Sequence, residues 1–388
     1  MRIGFFTPTY LPDKSGATAR VEGLCKGLSS QGHRVFLFVP AATFSREERR
    51  YCTVFRIPHP KLLIGGMVED KIKFHVGRYI SFLRTCTQVV EQENIEILHA
   101  RQPLDLYAVA LRIGRKLLIP VVLESHRLLS TSDYAVGRMS KIVYSLVKQK
   151  EQKLLNSGNA VVVLSDIGAR DLQAEGIANQ FVVAPNSHSL ELVDARAELA
   201  PLPDRKHILL YNGTMRKAEG LETLIRALPS IAREIPSFVL VMAGFGDEIN
   251  ILRELASELH VDQHIIWTGK VSDAILKFYY EKADIFVHPR KNIPYQQSFI
   301  GIKVYDALFF GLPLITGDFG ELGDFLKKEK CGVVTKPDDP GDFARAVVHL
   351  LNNPNELKNL RMKAKSVGKK FVWETSGKIL ADVYTQLI

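Results

Sequence analysis

Short apolar runs bounded by polar or glycine-bearing stretches recur along the chain, at Ile3–Phe6, Arg34–Val39, Ile95–His99, Pro120–Glu124, Ala160–Leu164 and Phe181–Ala184. Runs of this length, rich in β-branched and aromatic residues, predict buried strands. A second series begins after Pro201, at Ile208–Tyr211, Phe238–Ala243, His264–Trp267, Asp284–His288, Leu312–Thr316 and Gly332–Thr335. Longer stretches with helical spacing lie between the runs. Strand-helix alternation predicts parallel sheets covered by helices on both faces, so the chain reads as α/β, with two Rossmann-like doubly wound domains in tandem. The pattern breaks at residues 191–206, where charge and prolines crowd together, and a linker is expected there. It separates a first domain, 1–190, from a second, 207–370. Residues 371–388 resume helical periodicity.

At 388 residues the chain is long enough for two domains that each bury a core. No apolar run approaches the roughly 20 residues of a membrane span, and the first ten residues read as a strand rather than a signal peptide, so a cytoplasmic protein is expected. Cys25, Cys52, Cys86 and Cys331 are far apart and form no CxxC pair, which indicates neither a zinc site nor a disulfide framework. Charge changes the picture more. Residues 1–150 hold 23 Lys or Arg against 12 Asp or Glu, a balance of +11, whereas the remainder holds 28 against 30, a balance of −2. The first half therefore points to an anionic partner. Lys73, Arg78 and Arg84 interleave with Phe74, Tyr79 and Phe82, as in interfacial helices that meet anionic lipid, and the stretch 137–155 is a second cationic segment. No nucleic-acid recognition motif accompanies the charge, so no nucleic-acid partner is expected.

The stretch from Asp284 to Thr316 carries the most chemistry. A strand ends at His288, a polar loop follows, and a helix with Lys303 and Asp306 leads to the next apolar run. A helix start at a strand's carboxyl end offers N–H groups to a phosphate, and an acidic residue one turn in can accept from ribose hydroxyls.

The run IKVYDALFFGLPLIT resembles the donor-site signature of the GT-B glycosyltransferases of family 4, in the branch that carries a lysine three residues before the acidic position; Lys303, Asp306, Gly311 and Pro313 fall on that pattern. The resemblance spans nearly the whole chain. It implies a GT-B fold with a cleft between the domains, a nucleotide-diphosphate sugar as donor, and a closing helix that returns to the first domain. Gly213 and Gly220 match the family's first phosphate loop, but Thr214 stands where an arginine is expected and Glu219 where a lysine is expected; Arg216, Lys217 or Lys303 could replace those cations. Gly244 and Gly246 match a turn where backbone approaches the ligand, and Val271 falls where main-chain atoms read the base. Ser298 and Asp306 occupy the places of two family glutamates separated by seven intervening residues.

In the first half, Gly16 matches the second glycine of the family's opening loop, and the resemblance places His99 and His126 at the cleft edge, with His126 as the catalytic residue that reaches the donor sugar. Arg127 would meet an acceptor phosphate. The implied activity is transfer with retention of configuration to a growing glycan or a lipid-linked acceptor, on the inner face of the cell membrane, in cell-envelope or exopolysaccharide synthesis. No Asp-x-Asp occurs, so no metal is expected and no cofactor besides the donor substrate. The losses at 214, 219 and 298 leave an alternative, a non-catalytic relative of the fold that binds a nucleotide or glycan as a partner subunit.

Overall fold

The computed structural model describes residues 1–12, 15–59, 68–128, 140–190, 202 and 207–388, with the side chains of 68–78, 294 and 295 outside that description. The expected linker therefore falls, but for Leu202, outside the described residues. The chain divides into two compact units, Met1–Pro185 with Trp373–Ile388, and Asn186–Val372.

In the first unit the strands are β1 (Arg2–Phe6), β2 (Arg34–Ala41), β3 (Ser45–Glu48), β4 (Thr53–Pro58), β5 (Ile97–Arg101), β6 (Val121–Glu124), β7 (Ala160–Val163) and β8 (Phe181–Val183). They form one sheet in the order β3-β4-β2-β1-β5-β6-β7-β8, parallel except for the antiparallel β3–β4 pair. The apolar pattern predicts six of these eight and misses β3 and β4. Ser45–Glu48 contains no apolar residue because an edge strand needs no buried face, and β4 is interrupted by Arg56. The helix Trp373–Leu387 packs on the helix Gly16–Ser30, where Gly23 and Gly27 lie against Trp373 so closely that a methyl group at either position would collide with it.

The second unit holds β9 (His207–Asn212), β10 (Phe238–Ala243), β11 (Ile265–Gly269), β12 (Ile285–His288), β13 (Leu314–Gly317) and β14 (Gly332–Thr335). Their order is β11-β10-β9-β12-β13-β14, all parallel. These six match the six predicted runs; β10 and β12, buried at every residue, have no polar alternation to confuse the pattern. Two cores flank this sheet, one around Leu224, Leu240 and Val347 and the other around Tyr280, Phe286 and Leu308.

Candidate functional site

The order of the second sheet reverses between β9 and β12, so the loops leaving their carboxyl ends diverge and open the crevice where doubly wound sheets bind ligands. Three glycines shape it. Gly213 (φ 144°) and Gly244 (φ 143°) adopt backbone conformations that other residues avoid, and a methyl group at Gly244 would strike the Gly213 carbonyl. At Gly246 the same atom would collide with the backbone of Met215. The strand ends are stitched by Gly213 N–H to the Ala243 carbonyl (2.9 Å) and Gly244 N–H to the Gly269 carbonyl (2.9 Å).

Into this backbone frame the helix Ile302–Phe309 brings Lys303. A Cβ at Gly213 would lie 2.6 Å from the Lys303 ammonium, so the two pack closely, while the φ of 144° is what reserves the position for glycine. The ammonium donates to Glu219 Oε2 at 2.7 Å and stands 5.0 Å above the Tyr211 ring. Tyr211 donates its hydroxyl to the Thr214 carbonyl (3.0 Å). His288, at the end of β12 and 4% exposed, sets Nε2 3.6 Å from the same Glu219 oxygen. Burial, then Lys303 and Arg290, hold His288 well below the usual histidine range, so it is neutral. Among the described residues neither of its ring nitrogens has a hydrogen-bond partner. The carboxylate that replaces the family's expected cation at 219 is thus the anchor of another cation, Lys303, at the mouth of the crevice. Sequence reasoning noted Glu219 only as a loss and passed over His288; the strand-end position of His288 was the available signal.

The other expected donor-side residues are distributed differently. Arg216 and Lys217 are exposed and line a small recess with Gly220, Leu221, Glu222 and Lys291. Val271 is half-buried against the second core, and Ser298 is buried. Asp306 is 3% exposed: Oδ1 accepts from the N–H groups of Ser189 (2.6 Å) and Leu190 (3.3 Å), and Oδ2 from the Ser189 hydroxyl (3.3 Å). Its acceptor capacity is taken up by the segment 189–190 rather than standing open to ribose hydroxyls. Burial outweighs these hydrogen bonds and raises its pKa to about 7.

In the first unit, β6 ends at Glu124, a fully buried carboxylate at the centre of a charged cluster. It accepts from Arg20 Nε (3.0 Å) and Nη2 (3.1 Å), Arg101 Nε (2.7 Å) and His126 Nε2 (3.0 Å). The two guanidinium groups overcome the cost of burial and hold Glu124 well below the usual carboxylate range. Arg20 also donates to the Ala184 and Pro185 carbonyls, and Arg101 to the Ala17 carbonyl. The side chain of His126 is 30% exposed, with a pKa lowered by burial. His99 does not stand at an edge as expected, because β5 runs on to Arg101; its ring is fully buried, stacked on Phe5 and bonded through Nδ1 to the Tyr384 hydroxyl at 2.5 Å. Gly16 begins the helix Gly16–Ser30, capped by the Ser15 hydroxyl, with open space beside its Cα. Arg127 is half-buried, its carbonyl accepting from Ser125 (3.0 Å) and Gln102 (2.5 Å). Arg84 is exposed on the helix Val68–Gln92, whereas the side chains of Lys73 and Arg78 lie outside the described residues. Arg20, Arg101 and Glu124 were not singled out by sequence, since each is ordinary until the fold gathers them.

Two family descriptions match the chain: glycosyltransferase family 4 over residues 14–192 and glycosyl transferases group 1 over residues 194–367. Among relatives of recorded activity, an alpha-monoglucosyldiacylglycerol synthase of Streptococcus pneumoniae is 25% identical over 90% of this chain and 78% of its own length. That of Acholeplasma laidlawii is 21% identical, over 100% and 98%. Among solved structures, a sucrose-phosphate synthase from Thermosynechococcus elongatus superposes with a TM-score of 0.75 at 20% identity, over 100% of this chain and 98% of its own. The Anabaena protein HepE in complex with UDP gives a TM-score of 0.71 at 14% identity over 100% of both chains. The solved structures show the fold, GT-B.

Proposed function

This chain is a GT-B glycosyltransferase of group 1, and from that premise we propose that it moves a sugar, with retention and without a metal, from a nucleotide-diphosphate sugar to a membrane-lipid acceptor. The observation that carries the donor reading is the Lys303 ammonium, packed against the Gly213 turn at the reversal point of the second sheet. There it can meet a diphosphate together with the backbone of the glycine turns. The HepE structure was obtained with UDP, which makes UDP the first probe. In a retaining transfer the departing phosphate oxygen helps deprotonate the acceptor on the same face, so the protein's task is to orient the reactants and stabilise the leaving diphosphate.

Support for a lipid acceptor comes from the first unit and from the relatives named for glucosyldiacylglycerol synthesis. A mostly apolar cavity of about 640 Å³ is lined by Pro8, Pro40, His59, Tyr79, Leu104 and Leu106, beside Lys150. Ile142 and Leu146 expose apolar side chains one turn apart on the helix Lys141–Leu155. No described helix is long and apolar enough to cross a membrane, so attachment would be peripheral.

Calorimetric titration with UDP tests the donor reading. Lys303→Met is expected to weaken UDP roughly 10- to 100-fold, as the loss of one charge-assisted contact would, and uridine much less. Equal UDP affinity in the folded variant would remove Lys303 from the site. Cosedimentation tests the membrane reading: binding to vesicles with anionic lipid, release at high salt, and no binding to neutral vesicles are expected. Changing Lys71, Lys73, Arg78 and Arg84 to glutamine should weaken that binding by about 1 kcal/mol per charge and leave UDP affinity intact. Equal sedimentation with neutral vesicles would reject the electrostatic attachment.

A further inference from the structure

We propose that Glu124 is a positioning residue for His126, fixing its imidazole as the Nε2–H tautomer so that Nδ1 presents a lone pair to a substrate hydroxyl. The inference rests on the glycosyltransferase reading, with His126 as the catalytic residue the resemblance implies, and adds the device that sets the ring's hydrogen-bonding sense. A carboxylate between two guanidinium groups can only accept, and His126 Nε2 lies 3.0 Å from Glu124 Oε1. Nε2 must therefore carry the proton. A neutral imidazole has one N–H, so Nδ1 is left as an acceptor. The opposite tautomer would point a lone pair at a buried carboxylate, a repulsion that the low dielectric there makes costly.

The surroundings leave Glu124 little freedom to do otherwise. Arg20 grips it through two nitrogens and is itself tied to the 184–185 backbone, while Arg101 is tied to Ala17. On the other oxygen, His99 Nε2 approaches to 3.6 Å, with its Nδ1 occupied by Tyr384. Among the described residues the charged and titratable groups around the carboxylate include Arg20, Arg101, His99, His126, Tyr107 and Tyr384. Of these, His126 has the most exposed side chain, at 30%. A cluster that served stability alone would need no histidine on this edge.

Nitrogen-15 spectra of histidine-labelled protein decide the matter directly. His126→Ala identifies the His126 resonances among the 11 histidines, and the wild type should show the Nε2–H pattern. The oxygen that faces His126 Nε2 is the one that accepts from the Nε atoms of Arg20 and Arg101, so Glu124→Gln should keep its amide oxygen there and the Nε2–H tautomer with it, whereas Glu124→Met removes the acceptor and should leave His126 a mixed population. Turnover of UDP-glucose with diacylglycerol vesicles supplies the second arm. Glu124→Met should lower kcat roughly tenfold or more with KM for UDP-glucose within about twofold, Glu124→Gln should lower it far less, and Glu124→Met should cost nothing further in a His126→Ala background. An Nδ1–H or mixed population in the wild type, an unchanged tautomer in Glu124→Met, or additive losses in the double variant would overturn the proposal. If Glu124→Met does not fold, the wild-type spectrum still decides. A wild type that transfers no sugar would count against the functional reading, while the tautomer would still decide the role of Glu124.

Discussion

Glu124→Met is expected to destabilise the first unit by about 3–5 kcal/mol, because it leaves the buried Arg20 and Arg101 guanidinium groups without their shared carboxylate. Methionine fills the volume, so the loss reports the charge rather than a cavity. The chain has two tryptophans, Trp373 in the first unit and Trp267 in the second. In a Trp267→Phe background the fluorescence of Trp373, buried against Gly23, reports unfolding of the first unit alone. Urea titration should show the midpoint fall with an unchanged slope. A loss below about 1 kcal/mol would mean that the arginines find other partners or water, and that the cluster contributes little. The pH dependence has a definite sign. Glu124 is held below its ordinary range, so its contribution is present above the usual carboxylate pKa and is lost as pH falls through the folded value. The variant should therefore lose less stability on acidification than the wild type does.

Asp306→Asn is expected to act with the opposite sign in the second unit. Burial raises Asp306 from 3.8 to about 7, so the folded state holds a proton that the unfolded state has released. The stability associated with that proton is fully present below the unfolded value and is lost as pH rises through about 7, with a slope of about 1.4 kcal/mol per pH unit between the two values. Asparagine cannot ionise, and its oxygen can still accept from the Ser189 and Leu190 N–H groups. Its stability relative to the wild type should therefore improve by roughly 2–4 kcal/mol between pH 4 and pH 8. Trp267 fluorescence in a Trp373→Phe background measures this. A difference that stays constant with pH would show that the hydrogen bonds from 189–190 keep Asp306 ionised throughout.

Strands covered on both faces were legible because burial leaves an unbroken apolar run, as in β10 and β12 of the second sheet. The polar edge strand Ser45–Glu48 and its neighbour, with Arg56 in its middle, did not, since an edge tolerates polar side chains. Glycines were legible for a similar reason. The need for glycine at 213, 244 and 246 follows from backbone conformation or close approach, which no other residue supplies, and the resemblance to the family fell on the same positions. Partnerships were hidden. Asp306 looked like an open acid on a helix, yet its partners are the N–H groups at 189 and 190, more than a hundred residues earlier.

By itself the sequence determined the alternation of strand and helix, the two-domain plan, the places where only glycine fits, and the lysine that this branch of the family carries. Each follows from local rules of periodicity, backbone sterics and residue type. The tertiary structure decided which charges meet: Lys303 with Glu219 across 84 residues, and Arg20 with Glu124 across 104. Strand order controls those encounters. A parallel sheet places the carboxyl ends of β9 and β12, or of β5 and β6, side by side however far apart they lie in the chain, and no local pattern of hydrophobic and polar residues encodes that adjacency.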